Sequence, residues 1–248
     1  MSRSTADPEP IAESRPTPLR GRWLRNRWEE LTYLHWSYDP DVVQALLPDG
    51  LTVDTFDGRA YVSLIPFRMT DAAPRLVPSV PWISTFLETN VRTYVVDSAG
   101  HRAIWFFSLE ASRLPIVAFA RGLLGFPYVW GRLSLTVDGD RRRYETAQRR
   151  WPRRPTSSTR VEIRVGDPIT ESSELDVFLS ARWGTVARWR GRLRHHPVDH
   201  QSWTLYEAEL VHLDDTSFVA AGLPAPDGDP IVRYADPVDA RFGRPEPV

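Results

Sequence analysis

The chain contains no cysteine and no lysine: all 31 of its basic residues are arginine. Without cysteine there is no disulfide, no thiolate nucleophile and no cysteine-ligated zinc or iron–sulfur centre. Without lysine there is no side-chain amine to form a Schiff base, no pyridoxal phosphate held as a lysine imine, and no phosphate-binding loop with its lysine. An excess of one charge sign is missing too. The basic residues face 32 Asp and Glu, for a net charge of −1, which speaks against a general nucleic-acid binder. No apolar run approaches the ~20 residues that span a bilayer. The first residues are rich in Ser, Pro and Glu and do not read as a secretory leader. A cytoplasmic protein with neither membrane nor nucleic acid as partner is the expectation. Gly-x-Ser-x-Gly and Gly-x-Gly-x-x-Gly are also absent, which leaves an α/β-hydrolase and a Rossmann cofactor without a motif.

What is present is a chain of 248 residues, 42% of them hydrophobic and 25% charged, enough for one large domain with a real core. Residues 1–20 read as a disordered arm, 21–243 as a single domain and 244–248 as a tail. Within the domain the signals are mostly those of strands. They fall at 28–38, 51–56, 59–67, 82–96, 102–110, 128–137, 141–148 and 159–165, with two or three more between 185 and 213 and short ones at 231–234 and 238–242. Asp57-Gly58 supplies the positive φ angles of a tight turn. Asp39-Pro40-Asp41 opens a short helix, and 115–124 and 173–182 are two further helix candidates. With no βαβ alternation, the balance is a β-rich α+β domain built on a closed or strongly coiled antiparallel sheet, with two or three short helices.

The most informative stretch is Glu88-Thr89-Asn90-Val91-Arg92-Thr93-Tyr94-Val95. Alternation along a strand puts Glu88, Asn90, Arg92 and Tyr94 on one face and the smaller residues on the other. An acid, an amide, a guanidinium and a phenol suit either solvent or a polar cavity. A second stretch, Ala120-Arg121-Gly122-Leu123-Leu124-Gly125-Phe126-Pro127-Tyr128, reads as a helix ended by glycine and turned into a strand by an X-Pro step.

These stretches, with Leu34-His35-Trp36, Leu46-Leu47-Pro48-Asp49-Gly50-Leu51, Pro66-Phe67, Trp105-Phe106-Phe107-Ser108-Leu109, Phe178-Leu179, His200 and Trp203, resemble the YqjF-like family of the acetoacetate decarboxylase-like superfamily. The resemblance spans nearly the whole domain. It implies a coiled antiparallel sheet forming a cone or barrel around a cavity. In the decarboxylases of that superfamily a Gly-Phe-Pro-Lys-Lys stretch supplies the imine-forming lysine. Here Gly125-Phe126-Pro127 runs on to Tyr128, and a phenol cannot form an imine. Glu88 matches the cavity glutamate of those enzymes. Their substrate-side arginine has no clear equivalent: His35 sits near its place and Arg92 is a substitute from across the cavity.

The resemblance therefore implies the fold but not the Schiff-base chemistry. Glu88, Tyr128 and Arg92 are the expected catalytic residues, with His35, Asn90, Tyr94, Phe107, Arg121, Phe126, His200 and Trp203 around the ligand. The function expected is cofactor-independent acid–base and electrostatic catalysis on a small apolar carbonyl compound: dehydration, isomerisation, cyclisation or imine-free decarboxylation. The alternative is a non-catalytic binding protein for a hydrophobic small ligand. Self-association as a homo-oligomer stays open. His195, His196 and His200 lie close in sequence, but Pro197 between them argues against a metal-binding helix, and no metal is expected. The arginine-rich runs 141–164 and 182–194, with Trp151, Trp183 and Trp189, suit either single-stranded nucleic acid or a solvated sheet face. The interspersed acids favour the second.

Overall fold

In a computed structural model of the chain, the described residues are 6–152 and 156–248, with the side chain of Gln148 also left aside. They form one fifteen-stranded sheet. Its strands are β1 (Leu24–Glu29), β2 (Leu31–Tyr38), β3 (Leu51–Val53), β4 (Ala60–Pro74), β5 (Phe86–Asp97), β6 (Arg102–Ala111), β7 (Tyr128–Asp138), β8 (Arg141–Trp151), β9 (Thr159–Pro168), β10 (Gly184–Trp189), β11 (Arg192–His200), β12 (Leu205–Asp215), β13 (Ile231–Ala235), β14 (Val238–Phe242) and β15 (Glu246–Pro247). The described helices are short: α1 (Pro40–Gln44), α2 (Pro81–Ser84), α3 (Leu114–Phe119), α4 (Glu174–Ser180) and α5 (Ser217–Ala220), with a π-helical turn, Ala120–Leu124, continuing α3. Five helices thus stand where two or three were expected. Each carries only a few buried side chains, so none presents the sustained stripe that sequence reading detects.

The pairings close the sheet twice. One circuit runs β1–β14–β11–β10–β6–β5–β4 and back to β1. The other runs β6–β7–β8–β9–β12–β13–β2–β4–β5 and back to β6. Pairing is antiparallel except between β6 and its neighbours β10 and β7. The two rings share the wall β4–β5–β6. That position explains β5, which is buried along almost its whole length on both faces. A strand between two interiors shows no wet–dry alternation.

The nine-stranded ring is filled. Leu34, Trp36, Val62, Leu64, Val91, Tyr144, Val161, Ile163 and Phe218 form one apolar cluster inside it. The seven-stranded ring is not filled, and its interior holds the cavity described below.

The local signals that worked did so through turns and caps. Asp57 and Gly58 both have positive φ, and Phe56 bridges Arg59. The strand before that turn, β3, nevertheless pairs with β5 rather than with β4. Asp39 caps α1, and Ser173 with Asp176 makes a reciprocal cap on α4. The single strand expected at 28–38 is two strands, broken at Glu30, whose φ is 49°. The arm and tail also depart from expectation. Residues 6–20 have no helix or strand but are tied down. Arg15 donates to the carbonyls of Trp183 and Val198, Trp183 to that of Ala12, and the Glu9 amide to Gly100. Backbone carbonyls left open at strand ends give a Pro-rich segment its partners. At the other end, β15 pairs with β11 within the expected tail. Met1–Thr5 and Arg153–Pro155, the latter inside the first arginine-rich run, lie outside the described residues.

Gly125 ends the π-helical turn at φ 81°. A Cβ there would stand 2.6 Å from the carbonyl oxygen of Arg188. Gly125→Ala is expected to cost about 2 kcal/mol or more, from left-handed strain plus the clash. In a domain of this size, thermal unfolding should then fall by roughly 4–8 °C.

Candidate functional site

Every strand of the seven-stranded ring contributes at least one side chain to a cavity of about 110 Å³. Its apolar walls come from Trp28 on β1, Ile65, Phe67 and Met69 on β4, Ile104, Phe106 and Leu109 on β6, and Phe242 on β14. Its polar side is β5. Glu88, Asn90 and Arg92 all line the cavity, so the acid–amide–guanidinium face points into the ring rather than to solvent.

Glu88 is 3% exposed. Tyr128 enters from the start of β7, aligned beside Leu109 by the parallel β6–β7 pairing. Its hydroxyl donates to Glu88 Oε2 at 2.6 Å, while Asn90 Nδ2 donates to Oε1 at 3.2 Å. Burial drives the Glu88 pKa up, and the hydrogen bonds from Tyr128 and Asn90 together with the charge on Arg92 pull it partly back, leaving it at about 7. The Tyr128 phenol is held well above its ordinary range by burial and by the adjacent carboxylate. The pair is therefore a carboxyl group poised to give or take a proton near neutrality, beside a phenol that stays protonated.

Two guanidinium groups complete the polar side. Arg92 lies 5.6 Å over the rings of both Tyr33 and Tyr94 and donates to the Leu179 carbonyl. Arg182 donates from Nη1 to Asp54 Oδ2 at 2.6 Å and from Nε to the Phe178 carbonyl, 4.3 Å from the Phe178 ring centre. Burial lowers the Arg182 pKa, and Asp54 works against that shift. Five buried polar atoms on cavity-lining residues have no hydrogen-bond partner: Trp28 Nε1, Asn90 Oδ1, Arg92 Nε, Arg182 Nη2 and Thr185 Oγ1. Unpartnered buried groups are costly in a protein interior. Their gathering around one cavity equips it for a polar guest.

Of the residues expected around the ligand, Asn90, Phe126, His200 and Trp203 line this cavity, together with the three expected catalytic residues. His35, Tyr94, Phe107 and Arg121 do not. His35 stacks behind the cavity residue Tyr33, and its Nδ1 meets Ser63 Oγ at 2.6 Å. Tyr94 lies below Arg92 and donates to the Leu179 carbonyl. These two support the wall from behind. Phe107 is the extra residue of a β-bulge: Val91 pairs with Ser108 and Arg92 with Phe106. The bulge lets Ile104, Phe106 and Leu109 all face the cavity, while Phe107 packs into the other ring. Arg121 donates to the Tyr128 carbonyl at 2.7 Å and so braces the start of β7 from outside. Sequence reading missed Trp28, Tyr33, Phe106, Arg182 and Thr185. The strand expected at 82–96 begins only at Phe86, because Pro81–Ser84 form α2.

The three clustered histidines do not converge. His200 packs on Trp183, Trp28 and Trp203 in the cavity wall. His196 packs on Phe126, and His195 stacks on His101 at 4.6 Å. Asp97, His101 and His195 bring ligand-type atoms within 4.8 Å of one another, but none of the three lines the cavity and His101 Nδ1 already bonds Asp97. In the first arginine-rich run, Arg141 and Arg143 pair with Glu162, Arg160 with Glu145 and Arg164 with Glu209. No helix among the described residues is long and apolar enough to cross a membrane.

A sheet of this shape, closed around an acid-bearing cavity, is the acetoacetate decarboxylase-like fold. An acetoacetate decarboxylase-like enzyme from Sphingomonas wittichii RW1 matches with a TM-score of 0.64 at 14% identity, covering 94% of this chain and 96% of that one. The enduracididine biosynthesis enzyme MppR, in complex with the condensation product of pyruvate and imidazole 4-carboxaldehyde, matches at 0.63 and 14% identity over 95% and 91%. Acetoacetate decarboxylase from Legionella pneumophila matches at 0.60 and 14% identity over 95% and 92%. Within that fold the chain belongs to the DUF2071 family, described as an uncharacterized conserved protein, whose model matches residues 25–239. It is 31% identical over 224 residues to the uncharacterized protein YqjF of Bacillus subtilis (strain 168), covering 90% of this chain and 91% of that protein.

Two predictions follow from the Glu88 environment. Its folded pKa of about 7 lies above the ordinary 4.5, so between those values the folded state holds more protons than the unfolded state. Stability is therefore lost as pH rises through that window, by about 3 kcal/mol for this group. Glu88→Gln should lack that slope and be the more stable protein above pH 7, as denaturant titrations at several pH values would measure. Tyr128→Phe removes a donor to the carboxylate, so the Glu88 pKa should rise further. Infrared difference spectra of the protonated carboxyl band would report it, and an unchanged midpoint would contradict the assignment.

Proposed function

We propose that this protein is a small-molecule enzyme that moves a proton at the carbon beside a ligand's carbonyl group, without forming an imine. Glu88 is the acid–base group. Tyr128 orients it and, when its hydroxyl swings to the guest, polarises the carbonyl oxygen. Arg92 and Arg182 stabilise negative charge as it develops on that oxygen. The observation that carries this reading is the Glu88–Tyr128 hydrogen bond in the wall of the cavity, with the carboxyl balanced near neutrality. A group with its pKa near the working pH is the most effective proton shuttle.

The carbonyl part of the reading draws support from the neighbours in fold. One is an acetoacetate decarboxylase, and another is recorded with pyruvate bound. The imine part is ruled out by the chain itself, which has no lysine. Dehydration, isomerisation, cyclisation and imine-free decarboxylation all begin or end with the proton transfer proposed here. A non-catalytic carrier is the competing reading, and the missing amine is what favours it.

Hydrogen–deuterium exchange separates the two. The protein is incubated in D₂O with pyruvate and with longer 2-oxo acids, and proton NMR follows loss of the signals next to the carbonyl. Exchange should exceed the buffer rate and climb as pH rises through about 7. Glu88→Gln should slow it by about 10²-fold or more. Binding without any enhanced exchange would leave the carrier reading standing. Exchange that survives in Glu88→Gln would remove Glu88 from the role.

A further inference from the structure

The inner cavity does not end at Tyr128. A second, larger pocket of about 360 Å³ lies against it, walled by the inner ends of α2, α3 and the π-helical turn and by β1 and β4. Four side chains line both spaces: Met69, Phe126, Tyr128 and Phe242. One of these is the phenol hydrogen-bonded to Glu88. The outer pocket is mostly apolar, with Ile83, Phe86, Ile116 and Phe119 among its lining residues and no acid; Arg25, Asn26 and His196 are its polar members.

The sizes of the two spaces matter. The inner cavity, about 110 Å³, is smaller than the cavity of about 150 Å³ that just admits a benzene. It has room for a head group of a few atoms and no more. The outer pocket is more than three times larger, 360 against 110 Å³. The polar equipment is divided in the opposite sense, because Glu88, Arg92 and Arg182 line only the inner space.

Two large apolar side chains next in sequence to lining residues are exposed: Trp82, beside Ile83, is 63% exposed and Leu123, beside Leu124, is 62%.

We infer that the outer pocket holds the apolar arm of the same molecule whose carbonyl end reaches Glu88. The ligand is then an amphiphile: a carbonyl-bearing head of a few atoms on a straight alkyl or aryl arm. This inference rests on the function proposed above for the inner cavity. The shared wall is its basis: Met69, Phe126, Tyr128 and Phe242 border both spaces, so a guest seated against Tyr128 lies next to the outer pocket.

The test is a binding series with the full-length protein. Intrinsic tryptophan fluorescence, to which Trp23 and Trp28 in the two linings contribute, is titrated with 2-oxobutanoate, 2-oxohexanoate, 2-oxooctanoate and 2-oxodecanoate. Affinity should tighten by about fourfold per added methylene until the pocket is full. Ile116→Trp fills the outer pocket and Ile83→Arg places a charge in it. Both should flatten the series, and thermal unfolding confirms that each variant is folded. Affinity that does not change with chain length overturns the inference, as does a series that stays steep in both variants. So does a change of oligomeric state in the variants with no change in the series, which would make this apolar region a contact between two copies. The readout is binding, so a ligand that binds with a chain-length gain but shows no deuterium exchange defeats the proposed function and leaves this inference standing.

Discussion

A strand with two dry faces has no place for a solvated charge, and β5 is such a strand. It lies in the wall shared by both rings, so each side chain must face one interior or the other. Thr89, Val91 and Thr93 meet the filled ring, where Val91 joins the apolar cluster, Thr89 bonds Thr146 and Thr93 bonds the Tyr61 carbonyl. Glu88, Asn90 and Arg92 are thereby committed to the other ring. The raised pKa of Glu88, the aromatic bed of Arg92 and the unpartnered Asn90 Oδ1 and Arg92 Nε all descend from that commitment. A carboxyl group on a surface strand would keep its ordinary pKa. The same residue in the shared wall pays a desolvation cost that only two hydrogen bonds and a nearby cation reduce.

The parity of β5 was legible in the sequence because alternation is a local property. So were the turn at 57–58, the cap of α1, the helix at α4, and the meeting of Glu88 with Tyr128, the last through the family resemblance rather than through pattern. What could not be read is what depends on register between distant strands. By parity Phe107 shares a face with Leu109, and only the bulge against Val91 and Arg92 separates them. Arg182 reads as one arginine in a basic run. Its place in the cavity is set by Asp54, 128 residues earlier in the chain. The closure of two rings by one long strand is equally invisible locally. β4 pairs with β2 along its first half and with β1 along its second, so one strand of 15 residues, expected to end at 67, serves both circuits.

The position of Tyr128 carries the chemical consequence of having no lysine. An amine at that place would attack a carbonyl and become covalently joined to it. A phenol with its pKa driven upward by burial and by Glu88 stays protonated, so it contributes a hydrogen bond and no bond to carbon. The surrounding machinery does not depend on an imine. Gly125 still turns the chain, Arg121 still braces the carbonyl of Tyr128, and β6 still aligns Tyr128 beside Leu109.

Charge inside the cavity then favours a particular kind of guest. Arg182 shares Asp54 with Arg102, whereas Arg92 is in none of the ion pairs among the described residues. The charged side chains that line the cavity are Glu88, Arg92 and Arg182, so the lining is positive whether or not Glu88 is ionised, and more so when Glu88 holds a proton. A guest that brings negative charge, or builds it on oxygen as a proton leaves carbon, is stabilised most when Glu88 holds the proton. The proton-transfer step proposed for Glu88 would run in that sense: as the carboxylate takes the proton it loses its own charge, and the positive field of Arg92 then falls on the oxyanion. The geometry behind it is a carboxyl and a guanidinium on the same face of β5, two residues either side of Asn90.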